Sequence, residues 1–120
     1  MTRNLILSGG ACHDFAETSA ALAEVLAEIG IESEITEDIA GALTARPEVP
    51  LITMNALRCR MDDPAMAAHR HLRFELPPEG RTALLDHLDR GGGLLAMHAA
   101  PLCFDDWRGW PRVLGARWAW

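Results

Sequence analysis

Three polar residues stand where an open parallel sheet would carry out chemistry. His98 comes directly after the apolar run Leu94–Met97, and Ala99-Ala100 behind it allow a tight turn. A histidine at such a junction suits general acid or base work near neutral pH, or metal ligation. It equally suits a structural hydrogen bond to a neighbouring loop. His13 lies in Gly9-Gly10-Ala11-Cys12-His13-Asp14, after the first apolar run. That stretch leads into a helix start, where backbone N–H groups favour anions. Asn55 follows Val49–Met54 and reads as a cleft residue or a turn residue. Ligands of open parallel sheets bind beyond the carboxyl ends of the strands. His13, Asn55 and His98 are therefore expected to line one cleft.

Other residues offer weaker chemistry. Asp14 can reach the same cleft, but its spacing to Glu17 already fits a helix cap. Asp105, Asp106, Trp107 and Trp110 follow the fourth apolar run. Tryptophans beside a cleft stack on sugar rings, and elsewhere fill cores and interfaces. Asp105 and Trp107 are the substrate-binding candidates here, although Asp105 also suits an N-cap. His69 and His71 flank Arg70 and share a face only on an extended segment. A divalent metal such as zinc is thus an open expectation at the histidines. His87 sits within a helical pattern and reads as surface. Arg58, Arg60, Arg70 and Arg73 form a local basic cluster, either a small-anion patch or a solvated loop.

Several classes are disfavoured. Gly9-Gly10 lacks the spacing of a dinucleotide or P-loop fingerprint, and a tight turn explains it. There is no GxSxG elbow. A cysteine amidotransferase needs its nucleophile at the sharp turn after a central strand. That position is held by His98, and Cys103 comes five residues later.

The elements that must position these residues alternate. Asn4–Ser8 reads as a buried strand, followed by a helix from about Phe15 to Ile29 with Phe15, Leu22, Val25, Leu26 and Ile29 inward. Ile31–Ile35 alternates like a strand with one buried face, as at a sheet edge. A short helix over Asp38–Ala45 precedes a third strand, Val49–Met54. Asn55–Leu76 is an irregular stretch of the length that is often functional. Pro77-Pro78 opens a helix to about Arg90 with Leu84, Leu85 and Leu88 inward, and Gly91-Gly92-Gly93 ends it. Leu94–Met97 is a fourth strand, apolar on both faces. Asp105–Leu114 reads as a last helix interrupted near Pro111. This alternation predicts a three-layer, flavodoxin-like α/β fold with a parallel sheet of order 2-1-3-4.

Bulk properties narrow the partners. The 120 residues suit one domain, and 49% hydrophobic content is enough for a core. A formal charge of −6 disfavours nucleic acid and anionic membrane. No run reaches membrane-spanning length and no signal-peptide pattern opens the chain, so a cytoplasmic address is expected. Cys12, Cys59 and Cys103 form no CxxC pair and are expected to be reduced thiols.

The stretch Gly91-Gly92-Gly93-Leu94-Leu95-Ala96-Met97-His98-Ala99-Ala100, with Cys103-Phe104-Asp105-Asp106-Trp107 and Leu114-Gly115 downstream, resembles the signature of the ThuA-like (trehalose-utilisation) family. Gly9-Gly10 with His13-Asp14-Phe15 is similar to that family's first loop. The resemblance implies a class I glutamine amidotransferase-like fold lacking the amidotransferase cysteine, and a role in trehalose or related sugar metabolism. It extends to His13 and His98 as catalytic residues. Domains of that family are close to twice this length. The chain is therefore expected to be a truncation, or to need a partner surface or a second copy of itself. A non-catalytic sugar-binding or interaction module is the alternative reading.

Overall fold

Three apolar runs and one alternating run become four strands, β1 (Thr2–Gly10), β2 (Ile31–Thr36), β3 (Leu51–Leu57) and β4 (Gly93–Ala96). The computed structural model describes residues 1–120. All pairs are parallel, in the order β2-β1-β3-β4. Between the strands lie α1 (Phe15–Ala27), α2 (Ile39–Thr44) and α3 (Pro78–Asp89), with α4 (Gly109–Leu114) after β4. The fold is the expected α/β, flavodoxin-like arrangement. No helix is long and apolar enough to cross a membrane.

The strand period of two sorts the sheet into two unlike faces. Leu5, Leu7, Ile52 and Met54 point to one side and pack with Ile39 and Leu43 of α2 and Leu84 of α3. Phe104 and Trp110 complete that core from beyond β4, and Trp110 Nε1 donates to Ala100 O at 2.8 Å. The alternate residues Asn4, Ser8, Thr53 and Asn55 face α1 and are buried. Burial of so many polar side chains requires each to be paired. Thr53 Oγ1 donates to Asn4 Oδ1 at 2.8 Å, and Asn4 Nδ2 donates to Ser33 Oγ at 3.1 Å, tying β3 to β1 and β1 to β2.

The second half of this network is directional. Asn55 Nδ2 donates to Ser19 Oγ (2.9 Å) and Thr18 Oγ1 (3.0 Å) of α1. Ser8 Oγ donates to the carbonyl of Phe15 at 3.3 Å. A carbonyl only accepts, so in the 2.7 Å contact between Ser8 and Ser19 the Ser19 hydroxyl is the donor. Thr18 likewise donates onward, to the carbonyl of Asp14 at 3.2 Å.

Several expectations are corrected. Val25 and Ile29 are 59% and 72% exposed, because α1 turns Phe15, Ser19 and Leu26 toward the sheet instead. A serine occupies the centre of the buried stripe, so apolar spacing misjudged the face. On α3 the inward residues are Ala83, Leu84 and His87, while Leu85 is exposed. His87 is 2% exposed and its Nε2 lies 2.8 Å from Gly93 O, so it is not a surface residue. β4 is only half-buried, because it is a sheet edge with a neighbour on one side. Asn55–Leu76 is not irregular throughout: Pro64–Leu72 forms 3-10 turns started by Asp63, whose side chain accepts from Ala65 N at 2.8 Å. The last helix begins at Gly109 rather than Asp105, with Pro111 in its first turn, where a missing N–H costs nothing.

Candidate functional site

The carboxyl ends of β1, β3 and β4 meet through short, constrained loops. Gly9 and Gly10 have φ of 100° and 117°. A Cβ on Gly10 would lie 2.0 Å from Leu57 O, so only glycine lets this backbone lie against the end of β3. Ala11 N then donates to Leu57 O at 3.3 Å. The turn delivers Asp14 to the N-cap of α1, where it accepts from Glu17 N at 3.1 Å. On the far side, Met97 N donates to Met54 O at 2.9 Å, extending sheet pairing one residue past β4 before the chain turns at His98.

These two loops bring His13 and His98 together. Their ring centroids are 5.6 Å apart at an interplanar angle of 71°, and both side chains are exposed. Buried Phe15 braces His13 edge-on, also at 5.6 Å. Beneath lies a second apolar cluster of Ala11, Phe15, Leu57, Met61, Met66 and Ala99, with Cys59. The loops after β1, β3 and β4 each hold one non-glycine residue with left-handed backbone: Cys12 (φ 74°), Met61 (61°) and Phe104 (52°). Such conformations cost energy and gather at functional sites.

Comparison of the chain with protein-family models, curated proteins and solved structures finds no match to any of them. The site therefore rests on its own geometry.

The remaining candidates do not join the histidine pair. Asn55 is not beyond β3 but inside it, because the strand runs on to Leu57. Its amide is committed to Thr18 and Ser19. Asp14 is engaged as a cap. Asp105 does not cap α4. Its carboxylate accepts from Arg60 N at 3.0 Å and lies 3.4 Å from Arg60 Nε, raising the pKa of that guanidinium. Trp107 stacks on Trp110 with centroids 6.0 Å apart and lies under the Arg81 guanidinium. The basic cluster is split. Arg60 pairs with Asp62 and Asp105, and Arg73 with Asp62 and Glu75, whereas Arg58 and Arg70 pair with no carboxylate.

Asp105 and Trp107 instead border a partly open cavity of about 250 Å³, lined also by Met61, Met66, Trp118 and Trp120. His13 and His98 do not line it. Met61 and Met66 had no signal in the sequence beyond their place in the long connection. No three His, Cys, Asp or Glu side chains converge as a metal site. Two imidazoles fall short of the three protein ligands of a catalytic zinc, so the donor set does not fit zinc. Cys103 is buried, and desolvation pushes its thiol up to about 12. Burial also raises the pKa of Cys59. Neither is poised as a thiolate nucleophile.

Proposed function

We propose that the chain is a ThuA-like domain of the class I glutamine amidotransferase-like fold, acting in the cytoplasm on a small carbohydrate. The observation that carries this reading is the His13–His98 pair at the carboxyl ends of β1 and β4. Two exposed imidazoles 5.6 Å apart can hold a substrate hydroxyl between a proton acceptor and a proton donor. A sugar presents its hydroxyls as the groups to deprotonate or protonate, and no thiolate is needed. The glycine- and histidine-bearing motifs around both residues support the family reading.

The test is calorimetric titration of the chain with trehalose and glucose. Affinity is expected to fall in His13→Asn and in His98→Asn. Unchanged affinity in both variants would refute the assignment.

A non-catalytic sugar-binding module is a second reading, favoured by the tryptophan-walled cavity. In that case Trp118→Ala abolishes binding, and the histidine variants bind as the parent does.

A further inference from the structure

Arg58 differs from the other arginines in having a buried side-chain nitrogen without a hydrogen-bond partner. It follows β3 and is half-buried. Its backbone is held by Cys103 Sγ, which accepts from Arg58 N at 3.4 Å, and by Phe104 N, which donates to Arg58 O at 3.0 Å. Its side chain is in none of the six ion pairs, and its buried Nε has no hydrogen-bond partner. A guanidinium N–H buried without an acceptor is costly.

Its place is informative. In the order β2-β1-β3-β4 the chain reverses its direction of sheet growth between β1 and β3. The crevice at that switch point is where open parallel sheets bind ligands. Arg58 lies there over Gly9, and the exposed Glu37, just after β2, approaches from the other side. A Cβ on Gly9 would stand 2.5 Å from Arg58 Nη2 and 2.9 Å from Glu37 Oε1. Those two atoms are thus no farther apart than the sum of the distances, about 5.4 Å, yet they form no ion pair within 4.0 Å. An oxygen about 2.8 Å from each partner bridges a gap of up to about 5.6 Å. One oxygen atom therefore fits between them, provided it can accept from the guanidinium and donate to the carboxylate. A hydroxyl does both. A carboxylate or phosphate group would meet Glu37 with like charge.

We propose that Arg58 and Glu37 together hold a hydroxyl of a neutral, polyhydroxylated ligand over Gly9, at the crevice between β1 and β3. The inference rests on the carbohydrate reading above and gives that ligand a second anchor, apart from the histidine pair. It also explains Gly9, whose missing side chain leaves the space that the two charged groups share.

The experiment is calorimetric titration of the chain and its variants with trehalose and glucose, and with glucose 6-phosphate as the anionic probe. Arg58→Met and Glu37→Gln are each expected to weaken neutral-sugar binding at least tenfold, as loss of a charge-assisted hydrogen bond does. Glu37→Gln changes an exposed side chain, so it remains informative should Arg58→Met fail to fold. If both variants bind like the parent while His98→Asn binds more weakly, the crevice proposal falls and the histidine site stands. If glucose 6-phosphate binds more tightly than glucose, and Glu37→Gln tightens it further, the crevice is an anion site and the proposal falls. If the parent binds neither neutral sugar, both readings fall.

Discussion

Asn55→Asp tests the directional network beneath α1 with almost no change of shape. Both amide N–H groups of Asn55 point at hydroxyl oxygens whose own protons are committed to the carbonyls of Phe15 and Asp14, directly or through Ser8. A carboxylate there has no proton to give. It meets two lone pairs unless both hydroxyl chains reverse, and reversal abandons the two carbonyls. The substitution removes two hydrogen bonds worth roughly 1 kcal/mol each and buries a charge without a counter-ion. The expected loss at pH 7 is about 3–5 kcal/mol, out of the roughly 5–15 kcal/mol typical of a domain. The pH dependence has a definite sign. Burial raises the folded pKa of the introduced carboxyl above its unfolded value of about 3.9. The folded state then holds the proton more tightly, so stability falls as pH rises from about 4 and levels off above the raised pKa. Urea melts of parent and variant at pH 4 and pH 7 measure both effects. A loss under 1 kcal/mol at pH 7, or a variant that gains stability relative to the parent as pH rises, would show that the network does not run in the stated direction.

Other perturbations have equally definite outcomes. Gly92→Ala drives a Cβ to 2.3 Å from the His87 ring and should cost about 1–3 kcal/mol as an overpacking change. His87→Ala should relieve that clash, a coupling that a double-mutant cycle of chemical melts reads. Trp110→Phe removes one of the two hydrogen bonds to the Ala100 carbonyl, which keeps Cys103 N as a donor, and opens a void in the core, for an expected loss of about 2–4 kcal/mol by thermal or urea melt. Of the three thiols, only Cys12 should react with a disulfide reagent in the native chain near pH 8, and Cys59 and Cys103 only after unfolding. Because burial lifts Cys103 from 9.0 to about 12, the folded state keeps that proton longer, and stability should decline as pH rises through that interval.

The sheet was readable because its signals were local and redundant. Three apolar runs, closed by a glycine, an asparagine and a histidine, and one alternating run left few ways to order a parallel sheet. His13 and His98 were readable as neighbours for the same reason, since a strand end fixes where the next side chain emerges. Asn55 misled because an asparagine after apolar residues resembles a turn. Only the partners on α1 show that it is a buried strand residue. The same hidden polarity, with Ser19 at the centre of the buried stripe, made Val25 look like core. His87 was misplaced because the space it fills is made by Gly92, five residues away and read only as a helix breaker. The Arg60–Asp105 contact joins two loops far apart in sequence, and no spacing rule announces such a pair. Gly9 was read as part of a tight turn, whereas it is a paired residue of β1, and the Arg58 side chain lying over it comes from the residue that follows β3.

The position of β3 between β1 and β4 also governs how this chain is assembled during synthesis. Elongation at about 5–20 residues per second delivers β1 first. The earliest partner available to β1 is β2, through the α1 crossover. β3, which pairs with β1 along seven residues from Asn4 to Gly10, arrives only once Leu57 has left the ribosome. Until then Ile6 and Asn4, fully enclosed in the finished sheet, have one flank open. Each strand pair closes a loop of more than twenty residues, so the nucleus is built from distant contacts and folding is slow for a chain of this size. During that interval the exposed flank of β1 is the segment most in need of chaperone cover.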